Sequence, residues 1–551
     1  MRRVLTLFTI TVTVLAAGGA AAQTAPVNPG APPPVQPSSN SAPNGNANAP
    51  AAANPPNQPQ ATVPAAAPAP AAPVAAQPPP AAPPNVPPVA PMAASNQPVM
   101  PPAGTAIVNP EAPLESGPQP VKGKWNPVLY GFAEFDAIRD STESFNDFAG
   151  NAAIANPHSG TPYAGTHHRM MFGVRNSRLG FKLSAPESNG IKTTGIVEMD
   201  FLGNQPSNPA PTSTGGFSEG SFFASPTFRV RHMAVKLENP YVDVLLGQYW
   251  QLFGWQSYFH PNTVEIQGIP GQVFSRSPQA RLSHVFKTDS VNVELAVAGS
   301  RPPQRDSGTG DGQAGIRVFL NQLKGVRTMG GAGTAIDSAA IGFSGVMRKF
   351  VLPEYSAAPK ESKKTSGWGV STDVMIPIPL GGNTVEDHGN SFALTGSWVL
   401  GRGIADLFTG LSDGNTASWA LPNPNGLTPA PAYAPNIDAG IVEFGASGNP
   451  HAVMWQSFLG GIQYYLPPTG KVWVSLNYSH MKSNDIMRFV NDTAANRAAI
   501  YTKSEWYDAN VFYDITVAAR LGLEYAHFKQ TFGDDTYRNN DRVQFSGWLI
   551  F

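Results

Sequence analysis

Five arginines and four carboxylates are the residues of this chain best suited to act on a solute. Arg178, Arg229, Arg231 and Arg281 fall in segments that read as strands, and Arg276 ends a long aromatic loop. Glu134 and Asp136 share one strand parity, as do Glu198 and Asp200 in another segment. A guanidinium is a planar fork that donates two parallel hydrogen bonds to a carboxylate and stays charged at any relevant pH. Fixed positive charges in a narrow passage with low-dielectric walls focus potential and concentrate anions. The carboxylates have two options. They can pair with the arginines and neutralise them, or form an opposing wall with a transverse field. In a wet lumen, where charges separate at little cost, the opposing or partly paired arrangement is expected.

Catalytic chemistry is not expected. His167, His168, His232, His260 and His284 are scattered, and neither the i, i+4 spacing nor the cysteines of a zinc site are present. A lipid hydrolase needs a Ser–His pair with an orienting group, and nothing selects one here. The residues therefore predict no enzyme and no cofactor. A formal charge of -1 gives no basic excess for nucleic acid.

The elements that must hold these side chains are strands. From Trp125 onward, turn signals alternate with segments of about ten residues at period two, sixteen in all, from Val128–Arg139 to Asn540–Phe551. The site residues fall on Val128–Arg139, Met171–Ala185, Ile191–Leu202, Phe228–Glu238 and Pro278–Lys287. In Ile191–Leu202 the outward set is Thr193, Gly195, Val197, Met199 and Phe201, which leaves Lys192, Glu198 and Asp200 inside. In Ile515–Lys529 the outward set runs from Ile515 and Val517 to Tyr525, with Arg520 and Glu524 inside. Phe228–Glu238 is harder, because Val235 and Leu237 share the parity of Arg229 and Arg231. An arginine facing lipid at mid-depth costs roughly 2–4 kcal/mol, so both arginines are expected to point inward. Short links such as Asn239-Pro240 and Thr288–Ser290 alternate with long ones such as Gly203–Thr227 and Gly403–His451. That is the rhythm of periplasmic turns and external loops. The link Gln322–Ile336 is long where a turn is expected, and Ala439–Phe444 reads either as a seventeenth strand or as part of a loop.

Composition agrees with an all-β transmembrane antiparallel barrel preceded by a disordered Pro/Ala-rich segment. Hydrophobic residues make up 41% and charged residues 13%. No stretch after the first residues reaches the roughly 18 apolar residues of a spanning helix. Membrane strands alternate, so a mean hydropathy of -0.18 is compatible with a membrane protein. Residues 1–22 have the charged start, apolar core and small-residue cleavage site of a signal peptide. Residues 23–120 hold 30 of the 56 prolines and no charge before Glu111, which predicts a disordered periplasmic tether, either a spacer or a docking segment for the cell wall or a periplasmic partner. Residues 121–551 form the barrel domain. Its last segment places Val543, Phe545, Leu549 and Phe551 on one face, a lipid-facing closing strand. Together these predict the outer membrane of a Gram-negative bacterium.

Three motifs carry a resemblance. They are Leu129-Tyr130-Gly131-Phe132 with Asp136-Ala137, then Ser177-Arg178-Leu179-Gly180-Phe181, then Arg229-Val230-Arg231-His232 followed by Gly247-Gln248-Tyr249-Trp250. Their order and spacing resemble the DcaP-like outer-membrane porins over about Trp125 to Phe551. The resemblance implies a homotrimer of sixteen-stranded channels with a basic constriction that admits small anionic solutes such as dicarboxylates. The loop Gln251–Ser277, with Trp255, Tyr258 and Phe259, has two open placements: folded into the bore, or outside as a cap or trimer contact. The function expected is a diffusion channel. Its alternatives are a barrel that only anchors an adhesion or envelope-tethering protein, and a sugar porin using Trp250, Trp255 and Tyr258 as an aromatic slide.

Overall fold

The computed structural model describes residues 123–149, 153–155, 165–203, 226–304, 306–328, 331–356, 358–411, 437–489 and 493–551. The expected signal peptide (1–22) and tether (23–120) lie outside these described residues. In the barrel domain, period-two segments pair antiparallel with their chain neighbours. The first strand, Asn126–Asp140, closes the ring on the last, Tyr537–Ile550, from Phe132↔Ile550 to Asp140↔Arg542. The sheet has seventeen segments, two of which, Arg169–Gly173 and Arg178–Ser184, both pair with the first strand and are halves of one, leaving sixteen barrel strands.

Closure leaves no free edge, and alternation decides which face meets hydrocarbon. In the last strand Val543, Phe545 and Leu549 are exposed, while Arg542, Gln544, Ser546 and Trp548 are buried inside. Leu521, Leu523 and Tyr525 point out from Ala519–Phe532, with Arg520 and Glu524 inside. No helix among the described residues is long and apolar enough to cross a membrane, which says nothing about crossing by strands.

Four details depart from the sequence reading. Met171–Ala185 is not continuous; it breaks at residues 174–177, where Arg175 and Asn176 turn inward and become buried. Ile515 belongs to Tyr501–Thr516, and Val517 lies in the turn that follows. The awkward link resolves because its flanking strands run on, to Arg327 and from Ala335, leaving only residues 328–334 between them. Val442–Phe444 pairs only with Pro450–Ala452 in a small separate hairpin, so Ala439–Phe444 is part of a loop.

The lumen is crossed by the loop after Asp243–Trp250. Leu252, Phe253, Trp255, Phe259, Val264 and Ile269 are all buried. On one wall the Trp255 indole donates to the carbonyls of Ile316 and Phe343, 3.1 and 3.0 Å. The ring lies so close that a Cβ on Gly342 would sit 2.7 Å from it. On the other wall, Val264 N donates to Asn510 and Glu265 N to Glu524, both at 2.9 Å. The return leg pairs with the next long loop through Gly271 N to Thr409 O and Phe274 N to Leu407 O. Phe253, Val273, Leu407, Phe408, Ile441 and Trp455 share one apolar core there. The loop therefore folds into the bore rather than capping it, and apolar packing fills one side of the channel.

Candidate functional site: an arginine cluster beside the constriction loop

Two strand irregularities build the site. In Arg229–Glu238 the pairing shifts, with His232 opposite Glu198 and then Val230 opposite Met199, so Arg231 is an inserted residue. A β-bulge of this kind flips the parity of everything beyond it. Phe228 and Val230 therefore face lipid on one side of it, and Met233 and Val235 on the other. Arg231 and His232 both point inward, 0% and 4% exposed. This resolves the conflict posed by Val235 and Leu237, which share the parity of the arginines in the sequence but lie beyond the bulge. The break at 174–177 does the same for the second strand: Phe172 and Val174 face outward before it, Phe181 after it, and Arg178 is left on the inner face.

The register then brings the charges together. Arg229 grips Asp200 with two bonds, Nε to Oδ1 at 2.9 Å and Nη2 to Oδ2 at 2.6 Å. Arg231 reaches Glu198 at 2.8 Å and Asp200 at 3.0 Å. Arg178 stands 3.6 Å from Glu198. Arg276 stacks on Trp250 and Phe274, 4.9 and 5.4 Å from the ring centres, and has no carboxylate at ion-pair distance among the described residues. The cluster thus holds four guanidiniums, Arg178, Arg229, Arg231 and Arg276, against two carboxylates, Glu198 and Asp200. His260 packs edge-on against Trp250, and burial pushes its pKa down to about 3, so it adds no charge. Arg281 lies apart from the cluster, bonded to Gln279 and to the Trp250 carbonyl.

Glu134 and Asp136 are not an opposing wall. They sit on the first strand, hydrogen-bonded to the second, and no ion pair joins either to an arginine among the described residues. Asp136 accepts from Asn176 and Gln544 at 3.0 and 3.1 Å. Asn176 accepts from Gln267, which in turn accepts from Arg229, so a neutral amide relay separates acidic and basic groups. The arrangement is partly paired: Glu198 and Asp200 are engaged, Asp136 is held by the amides of Asn176 and Gln544, and the buried Glu134 carboxyl has no hydrogen-bond partner among the described residues. On the loop, Glu265 is bound by Arg542 at 3.2 Å; burial pushes its pKa up to about 7 against the opposing pull of that arginine.

Space for a solute lies on both sides of the loop. A cavity of about 360 Å³ is lined by Arg229, Arg276, Arg301, Gln248 and Gln267. Asp406 also borders it, but both of its oxygens accept from Arg348. A smaller cavity of about 100 Å³ touches Arg178, His260, Gly331 and Ala332. Arg175, Asn176, Gln267 and Arg301 were not singled out from sequence. The polar pair Arg175-Asn176 inside an apparent strand was the only available hint.

No protein-family model matches the chain, and no curated protein matches it. Among solved structures, the outer membrane channel DcaP of Acinetobacter baumannii aligns over 78% of this chain and 97% of its own, at 18% identity and a TM-score of 0.51. The trimer form of OmpT, an outer membrane protein of Vibrio cholerae, aligns over 78% and 100% at 11% identity and 0.42. An anion-selective porin from Comamonas acidovorans aligns over 78% and 100% at 11% identity and 0.41. At such identities the likeness is one of fold. The chain has the sixteen-stranded fold of an outer-membrane channel, similar to DcaP, and with its apolar outer face it is a protein of the Gram-negative outer membrane.

Proposed function

We propose that the barrel is a diffusion channel preferring small anionic solutes, dicarboxylates among them, with Arg178, Arg229, Arg231 and Arg276 as its filter. The observation that carries this is the surplus of guanidinium over carboxylate beside the loop. Arg276, with no acidic partner among the described residues, lines the larger cavity together with Arg229 and Arg301. A solute bearing two carboxylates would engage Arg276 and Arg301 without displacing Asp200 from Arg229. Arg281 supports the wall behind Trp250. Asp136, with Glu134 beside it on the first strand, is set off from this filter by the Asn176–Gln267 relay.

A sugar channel is less well supported. Arg276 and Arg231 lie over Trp250, and Trp255 is buried against the wall with Arg317 over its ring, so neither offers a free aromatic face. The same reading takes residues 1–22 as a signal peptide, 23–120 as a tether and the assembly as a homotrimer. Swelling of protein-loaded liposomes tests the solute class. Succinate should enter faster than a neutral sugar of similar size, and a diamine slowest. Equal rates for all three would remove the anion preference, and no swelling would favour the anchor reading.

A further inference from the structure

We infer that the lipid-facing surface of the strands Val472–Ser483, Tyr501–Thr516 and Ala519–Phe532 carries a docking site for the phosphorylated headgroup of an outer-leaflet lipid. Along this face the side chains change in layers from the periplasmic turns outward. Leu476, Val511 and Leu523 form an exposed apolar surface. Tyr478 and Tyr507 come next, directly opposite each other with rings 5.0 Å apart. Beyond them, still on the outward parity, stand Lys482, Lys503 and Lys529.

Lys482 is the cross-strand partner of Lys503, and Lys529 that of Glu505. Like charges directly opposite on one face destabilise a sheet, so the pairing calls for a counter-charge. The chain supplies little. Glu505 holds Lys503 at 3.0 Å, and Asp541 is taken by Tyr525 and His527, each at 2.8 Å. Lys529 lies over the Tyr537 ring at 4.7 Å, and Lys482 has no carboxylate at ion-pair distance among the described residues.

Tyrosine girdles mark the level where hydrocarbon gives way to headgroups. Three ammonium groups just past the girdle, outside the bore, therefore meet lipid phosphates and not channel solutes. The acyl chains of the same lipid would lie on Leu476, Val511 and Leu523. The bland alternative is that these lysines only stretch their amino groups to water, which lysine does readily at an interface. The inference does not rest on the channel reading, since a barrel that passes no current would carry the same face.

The test is native mass spectrometry of the full-length protein in detergent, with lipid A carrying two phosphates, lipid A stripped of phosphate, or inorganic phosphate as probes. The unmodified protein should retain the phosphorylated lipid, and the stripped lipid should bind about tenfold more weakly or worse. The Lys482→Gln, Lys503→Gln, Lys529→Gln variant, checked for a heat-resistant barrel, should lose a similar factor, whereas Lys471→Gln at the periplasmic rim should lose none. Equal binding of intact and stripped lipid by the unmodified protein would overturn the site without any variant. So would unchanged binding by the triple variant, or displacement of the lipid by inorganic phosphate at equal concentration.

Discussion

Arg276→Gln tests the proposed filter without disturbing the scaffold. Arg276 has no carboxylate partner among the described residues, so its removal leaves none of their acids orphaned, and the amide fills part of the space over Trp250. The cluster falls from four guanidiniums against two carboxylates to three against two, from a surplus of two charges to one. A unit charge about 4 Å from an anion contributes about 1 kcal/mol in the dielectric of water. That corresponds to a factor of about five in local concentration for a monovalent anion, and up to the square of that for a dicarboxylate. The Arg229→Ala, Arg231→Ala variant goes further: Arg178 and Arg276 then face Glu198 and Asp200 with no surplus. Planar-bilayer reversal potentials in a salt gradient report both changes. Anion preference should shrink for Arg276→Gln and vanish or turn towards cations for the double variant, with larger effects at low salt, where screening is weak. If all three proteins show the same selectivity while their barrels remain heat-resistant, charge at this cluster does not set the filter.

Glu265 provides a pH signature. Its carboxyl titrates near 7, so raising pH from about one unit below to one unit above that value adds a negative charge beside the bore. Anion preference should therefore weaken as pH rises, and Glu265→Gln should flatten the change; an unaltered pH profile in that variant would assign the titration elsewhere. Trp255→Ala removes a buried anchor of the loop along with its two indole hydrogen bonds, a change that typically costs about 3–5 kcal/mol. Single-channel conductance should rise and become noisy, whereas a quiet, unchanged conductance would mean that the loop holds its place without this residue. Deleting Thr24 to Pro120 should leave a heat-resistant barrel, because closure is made by the first and last strands of the barrel domain; gel mobility before and after boiling checks this.

The barrel was legible because lipid outside and water inside impose a strict period of two, as the last strand displays residue by residue. The arginine cluster was legible only in part. Arginines at mid-strand had to face inward on desolvation grounds, and they do. Their surroundings were hidden because an inserted residue leaves no mark in composition: the bulge at Arg231 and the break at 174–177 each reverse parity within a segment that reads as continuous. Register was equally silent. That Asp200 meets Arg229, and that Glu134 stands beside the cluster instead of across from it, depends on strand offsets set by the whole ring. The inward fold of the loop rests on Trp255 fitting against glycines at 315 and 342, a match between segments distant in the chain.

The most direct measurement is the reversal potential of the purified, full-length, unmodified protein in a planar bilayer under a potassium chloride gradient, followed by addition of succinate to one side. The account predicts open channels with a reversal potential on the anion side, and a chloride current that succinate reduces by competing for the same arginines. A cation-side potential, or a chloride current indifferent to succinate, would contradict it.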